Sequence, residues 1–371
     1  MHKKKILYVV STLSKTGPTF VLSNIVKYLD RDKFEPTILT LSPEPKNTMS
    51  THFKDALRVK VESLNLSRFR GIVEATPGVR RHVKMNGIEL IHTHGLRPDW
   101  VVQNIKVPRV STLHNYPYFD YTMLFGKIPG TIVAAVHLRC LKKIDHPVVV
   151  SQAVSAMLRE RNHYEIGFVR NGVDIAKSEC LEKHSLRDKL GIGKQAKVLI
   201  SVGSLSNRKD PITVITAFQK ANLSDAILLF LGDGDSRGKC ESVANGNPNI
   251  RFMGNVDNVQ EYLCVSDYFL SASVAEGLPN SVLEAMASGL PCLLSDIPPH
   301  REIHDIDPES SLLFKVKDGK DMAAKLEAIT KMDWNTMQDA SRNITHNYLS
   351  AEIMSNQYQE IYNQLLDRNR L

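Results

Sequence analysis

Short runs of apolar, mostly β-branched residues recur along the chain, each followed by a longer stretch with helical spacing. In the first half the runs fall at 6–10, 37–41, 90–92, 109–113, 148–150 and 168–169; in the second, at 198–202, 226–231, 268–271, 292–295 and 312–314. They are continuous rather than alternating, which is the pattern of strands buried on both faces of a parallel sheet. Strand–helix alternation throughout predicts α/β units. The pattern restarts near Val198, after a polar stretch at 177–197 that reads as a linker. The expected architecture is two Rossmann-like domains whose parallel sheets face a central cleft. Their bounds are 1–176 and 177–345, followed by a C-terminal helical segment, 346–371, that packs back on the first domain. In that tail Tyr358, Ile361, Tyr362 and Leu365 are spaced to form one apolar docking face.

Composition fits this picture. A chain of 371 residues, 42% hydrophobic and 23% charged, suits two soluble domains rather than one core. No stretch approaches the ~18–20 apolar residues that cross a bilayer, and the basic, briefly apolar start reads as a first strand rather than a signal peptide. Five cysteines (140, 180, 240, 264 and 292) are scattered without a CxxC pair, so reduced, packed thiols in a cytoplasmic protein are expected. Charge divides the chain more sharply than its net +7 suggests. Residues 1–175 carry a balance of +12 and the remainder −5. Two halves of opposite sign imply different partners, the basic one suiting an anionic membrane or acidic acceptor.

The most informative segment is Glu276-Gly277-Leu278-Pro279-Asn280-Ser281-Val282-Leu283-Glu284-Ala285-Met286-Ala287-Ser288-Gly289. It follows a strand and opens a helix, with Pro279 suited to the first turn, Asn280 or Ser281 to the cap, and Gly289 to the stop. A helix start after a parallel strand is a ready anion site. Glu284, about one turn in, can accept hydrogen bonds from ribose hydroxyls, and Glu276 lies in the loop before it. The residues alone leave a second reading open, in which Glu276 is a helix-entry residue and Glu284 a solvated one. Upstream, the loop from Gly203 to Asp210 also follows a strand. Gly203 permits a tight turn, and Arg208 and Lys209 can neutralise a diphosphate.

These segments resemble the large retaining glycosyltransferase family 4, the group 1 glycosyltransferases, many of them bacterial polysaccharide and lipopolysaccharide enzymes. Glu276 and Glu284 look like its paired-glutamate signature, and other pieces follow in the family's order. Residues 14–19 resemble its first glycine loop, Asn171-Gly172-Val173-Asp174 its interdomain turn, 203–210 its phosphate loop, and Gly232-Asp233-Gly234 its Gly-Asp-Gly turn. The resemblance implies the GT-B fold and retaining, metal-independent sugar transfer. The donor would be a nucleotide sugar, UDP-linked before GDP-linked, and the acceptor a glycan or lipid-linked oligosaccharide. It implies that Glu276 contacts the donor sugar, Glu284 the ribose and Lys209 the diphosphate, with Gly277, Leu278, Pro279, Asn280 and Ser281 forming the cradle. Gly17 would approach the diphosphate. Two departures stand out. Ser204 occupies a position where the family usually has Arg, leaving Arg208 as the candidate replacement, and the first loop has a single glycine.

Among the thirteen histidines, His114 at the end of a strand matches the family's Thr-x-His position, which implies a catalytic role near the sugar and the acceptor. His92-Thr93-His94 mimics a metal pair without further ligands, and Asp233-Gly234-Asp235 reads as a turn, so no metal and no other cofactor is expected. Residues 115–125 are dense in aromatics, with basic clusters at Arg68/Arg70, Arg80/Arg81/Lys84 and Arg139/Lys142/Lys143. They suit a sugar or lipid-linked acceptor at the inner face of the cytoplasmic membrane, or simply an apolar loop packed against the first domain. Nucleic acid is disfavoured, since no recognised binding module accompanies the charge. Two alternatives to a transferase remain, a UDP-sugar 2-epimerase of the same fold and an inactive scaffold that binds nucleotide sugars.

Overall fold

The structure is a computed structural model that describes residues 3–67, 69–175 and 187–368. The chain divides into two compact units, Met1–Asn171 with Ala351–Leu371, and Gly172–Ser350. The first is built on a seven-stranded parallel sheet, in the order β3-β2-β1-β4-β5-β6-β7, and the second on a six-stranded one, β10-β9-β8-β11-β12-β13. In the first sheet β1 is Lys4–Val10, β2 Phe34–Thr40, β3 Lys60–Ser63, β4 Leu90–His94, β5 Arg109–Leu113, β6 His146–Val149 and β7 Gly167–Phe168. In the second, β8 is Lys197–Val202, β9 Ala226–Leu231, β10 Ile250–Gly254, β11 Tyr268–Ser271, β12 Cys292–Ser295 and β13 Ser311–Phe314.

β1 shows why continuous apolar runs mark these strands. Ile6, Tyr8 and Val10 enter one core layer, with the helices Gly17–Lys27 and Ala351–Arg368, while Leu7 and Val9 enter the other, with the helix Arg70–Asn86. Both faces are buried, so neither set can be polar. Two strands escaped the sequence reading, β3 and β10. Both lie at sheet edges and are largely half-exposed, so they lack the apolar run that reveals a central strand. The tail comprises two helices, Trp334–Asn347 in the second unit and Ala351–Arg368 in the first. Tyr358 and Tyr362, on the predicted apolar face, are fully buried. Of the expected linker at 177–197, residues 177–186 lie outside the described residues, and a helical turn beginning at Arg187 leads toward β8 at Lys197. Cys140, Cys240 and Cys292 are free and buried. Cys180 lies outside the described residues.

In each sheet the strand order reverses direction once, between β1 and β4 and between β8 and β11. Open parallel sheets bind ligands beyond the carboxyl ends of strands at such switch points. The loops that begin there contain Gly203–Lys209 and Glu276, while His94 ends β4 and Gly17 opens the helix that follows the loop after β1.

Candidate functional site

In the second unit the switch point joins two loops. The loop after β8 carries Arg208 and Lys209, and its Arg208 carbonyl accepts the Val274 amide at 2.8 Å from the loop after β11. Asp210 (φ 46°) ends the turn and caps the helix Pro211–Lys220, accepting from the Thr213 amide. This fixes where the preceding two cations point. Gly203 (φ 146°) is required twice over. Its conformation favours glycine, and a Cβ there would sit 3.1 Å from the Lys209 side chain.

Glu276 is buried, yet ionised. Its two carboxylate oxygens meet Arg208 Nη1 and Lys209 Nζ, each at 2.7 Å, and the same Arg208 nitrogen donates to the Ala275 carbonyl at 3.2 Å. Burial pushes the carboxyl pKa up. The Lys209 and Arg208 charges outweigh it, helped by hydrogen bonds from Lys209 and Ser273, and hold it at about 2. Two cations against one carboxylate leave one positive charge in excess beside the helix start. The helix is Asn280–Ala287, with Pro279 at the N-cap rather than inside the first turn as the sequence suggested. Proline supplies no side-chain acceptor, so the positive end of the helix dipole is not capped by its own residue. Gly277, Leu278 and Pro279 are buried, and Asn280, Ser281 and Glu284 are half-buried. Gly289 (φ 80°) ends the segment as predicted.

The sequence reading missed what lies beneath Glu276. His300, fully buried in the helix Pro298–His304, places Nδ1 2.8 Å from the Ser295 carbonyl. A carbonyl only accepts, so Nδ1 carries the proton, leaving Nε2 to face the Ser271 hydroxyl at 3.5 Å. Ser295 Oγ in turn donates to the Ser273 carbonyl at 2.5 Å. Burial lowers the His300 pKa to about 4, so the ring is neutral. The available signal was position alone, since Ser273, Ser295 and His300 all follow strand carboxyl ends.

The first unit fills its switch point differently. His114, beyond β5, is partly exposed and stacks on His94 with ring centroids 5.1 Å apart, Nε2 lying 2.9 Å from His94 Nδ1. His94 stacks in turn on His92 at 4.6 Å. His92 uses both nitrogens, on the Tyr362 hydroxyl at 2.7 Å and the Thr112 hydroxyl at 2.8 Å. Thr112 also meets Tyr358, and Tyr362 meets Tyr8. Burial depresses the pKa of His92 and His114 to about 3 and pushes His94 well down, so the cluster is neutral. His92-Thr93-His94 is thus part of a hydrogen-bonded stack. Among the described residues no group of three or more His, Cys, Asp or Glu is placed to hold a metal. Gly17 is exposed and opens the helix Gly17–Lys27. The aromatic segment divides, with Tyr116 buried and Met123, Leu124 and Phe125 exposed.

Two Rossmann-like units in one chain, each with a parallel sheet and a switch point, make the GT-B fold. Family models agree, "Glycosyltransferase Family 4" matching residues 16–177 and "Glycosyl transferases group 1" matching 196–331. The N-acetyl-alpha-D-glucosaminyl L-malate synthase of Bacillus anthracis is 30% identical over 308 residues, covering 76% of this chain and 77% of its own. The O-antigen biosynthesis glycosyltransferase WclY of Escherichia coli is 24% identical over 97% of this chain and 98% of its own. The UDP-glucose complex of Anabaena HepE superposes with a TM-score of 0.80 at 16% identity, over 97% of this chain and all of HepE. The chain belongs to the family 4, group 1 glycosyltransferases.

Proposed function

We propose that this enzyme is a retaining, metal-independent transferase that moves a hexosyl or N-acetylhexosaminyl group from a UDP-sugar to a glycan or lipid-linked oligosaccharide in cell-surface polysaccharide assembly. The observation that carries this reading is the buried Glu276 carboxylate, clasped by Arg208 and Lys209 just before the helix start at Asn280. One positive charge in excess, together with the helix dipole, favours a diphosphate at this point. Glu276 is held ionised to accept hydroxyls of the donor sugar, and Glu284 takes the ribose. Gly17 and the backbone from Gly277 to Ser281 complete the donor contacts. Arg208 supplies the charge that Ser204 lacks.

Breaking the anomeric C–O bond leaves positive character on the sugar and gathers negative charge on the departing diphosphate. Lys209, Arg208 and the helix N–H groups stabilise that leaving group. The acceptor hydroxyl attacks from the same face and passes its proton to the leaving phosphate, which accounts for retention. His114, neutral and partly exposed, serves the acceptor as a hydrogen-bonding group. The UDP-glucose complex of the similarly folded HepE and the O-antigen role of WclY support UDP donors and polysaccharide acceptors as the first to test. No helix among the described residues is long and apolar enough to cross a membrane. The basic first unit supports a cytoplasmic enzyme in peripheral contact with an anionic bilayer.

Thermal-shift titration with UDP-, GDP- and ADP-sugars tests the reading, followed by donor turnover in Glu276→Ala and Lys209→Ala. Stabilisation by a UDP-sugar and loss of turnover in both variants are expected. If no nucleotide sugar stabilises the protein, the transferase reading is wrong.

A further inference from the structure

The histidines behind His114 belong to a chain of hydrogen bonds whose direction can be read from its buried end. Tyr358, fully buried on the helix Ala351–Arg368, has the Thr112 hydroxyl as its partner at 2.7 Å and so donates to it. Thr112 then gives its own proton to His92 Nε2 at 2.8 Å. His92 therefore carries its proton on Nδ1, which donates to the Tyr362 hydroxyl at 2.7 Å. With both nitrogens engaged, His92 offers none to His94, on whose ring it packs.

His94 is buried, and its Nδ1 lies 2.9 Å from His114 Nε2. Its Nε2 is buried with no hydrogen-bond partner among the described residues. A buried N–H without an acceptor is rarer in folded proteins than an acceptor without a donor, and leaving it unmet is costly. The proton of His94 thus belongs on Nδ1, where it has an acceptor. We propose that His94 is the positioning residue of His114, its Nδ1–H donating to His114 Nε2. His114 then keeps its proton on Nδ1 and meets the substrate as a hydrogen-bond donor rather than as a base. This role for His94 rests on the reading of His114 as a substrate-contacting group. It agrees with same-face attack, in which the leaving phosphate takes the acceptor's proton and no histidine base is required.

The arrangement also resists charge. Protonating His114 would set an N–H on Nε2 against the N–H of His94, in addition to the cost of burial. The other groups of the cluster supply no counter-charge. His92 and His94 on β4 are neutral, Thr112, Tyr358 and Tyr362 are hydroxyls, and Asp120 of the helix Pro117–Phe125 accepts from Asn115.

Isotopic labelling of histidine nitrogen in the full-length protein, read by proton–nitrogen correlation NMR, reports which nitrogen of each ring is protonated. His114→Gln assigns the signal. Nδ1–H on both His94 and His114 is expected at neutral pH, and Nε2–H on His114 would overturn the proposal without any turnover being measured. In kinetics, His94→Phe removes the donor, whereas the side-chain amide of His94→Asn reproduces the Nδ1–H. His94→Phe should lower kcat about tenfold or more with the donor KM unchanged. It should also bring a new titration into the kcat profile between about pH 5 and 8, as His114 moves back toward its ordinary 6.5. The rate should fall on the acid side, because a cation there opposes the positive character of the sugar. His94→Asn should restore most of the rate and the flat profile. Equal losses in the two variants, or a Phe variant with wild-type rate and profile, would overturn the role. Unaltered turnover in His114→Gln would instead remove the substrate role of His114 on which the proposal rests, whatever the tautomers.

Discussion

The two units repeat one plan and fill it with opposite chemistry. Each has a parallel sheet with a switch point, and at each the strand carboxyl ends present polar side chains. In the second unit these are charged, Glu276 against Arg208 and Lys209. In the first they are a neutral stack of His92, His94 and His114 satisfied by Thr112, Tyr358 and Tyr362. Both groups are largely buried, and burial disfavours charge in both. What differs is compensation. A carboxylate with two cations within 2.7 Å stays ionised, whereas imidazoles surrounded by hydroxyls and one another give up their protons. A Rossmann-like scaffold thus sets where a site forms, and the side chains at the strand ends decide whether it prefers an anion or hydroxyls.

The most severe break in this comparison is Lys209→Ala. Removing one leaving-group cation should lower donor turnover by ~10²–10³, measured as UDP release, with Lys143→Ala as the unaffected control. Turnover equal to wild type would show that the charged switch point does not serve the donor. Next is His92→Phe, which removes the partner of two buried hydroxyls and should cost about 2 kcal/mol of stability in the first unit. The chain has two tryptophans, Trp100 in the first unit and Trp334 in the second. Urea unfolding read from Trp100 in a Trp334→Phe background measures the effect, and no change in midpoint would show that the hydrogen bonds of the stack contribute nothing to stability.

Acidification sharpens the contrast further. His92, ordinarily near 6.5, is depressed to about 3 in the fold, so below pH 6.5 the unfolded chain binds a proton that the folded one refuses. Stability present at neutral pH is lost at about 1.4 kcal/mol per unit as pH falls from 6.5 toward 3. His94 and His114 add to the loss in the first unit, and His300, lowered to about 4, acts alike in the second. Glu276, depressed from 4.5 to about 2, contributes stability that persists down to about pH 4.5 and fades as pH falls through 2. Between pH 6.5 and 5 the unit reporting through Trp100 should therefore weaken more steeply than the one reporting through Trp334. Equal slopes in the single-tryptophan variants would contradict the assignment of the three neutral histidines of the stack to one unit and His300 to the other. The smallest expected effect belongs to Ser204→Arg. Ser204 is exposed, so a cation there should tighten donor binding by about 0.5–1 kcal/mol, read by titration calorimetry. Weaker binding would mean that Arg208 already occupies the place such a cation would take.

Much of this protein could be read along the chain. Eleven predicted strands appear in the sheets, because most strands buried on both faces carry an apolar run, even where β4 and β5 include buried polar residues. Gly203 and Gly289 announced their turns, because their conformations suit glycine alone. The paired glutamates and the Arg208–Lys209 dipeptide were visible as local patterns. Other features arose only on folding. β3 and β10 lie at edges where half the surface is wet, so their sequences are not distinctive. Sequence separated Glu276 from Arg208 by 68 positions and assigned them to different parts of a ligand, whereas the fold clasps them together at 2.7 Å. His300 beneath Ser273, and His137 between Asp99 and Tyr121, were ordinary residues until strands and helices met. Hydrophobic burial is a property of each position and leaves its record in one dimension. The charge state of a buried group depends on which partners come within hydrogen-bonding distance, and only the tertiary structure chooses them.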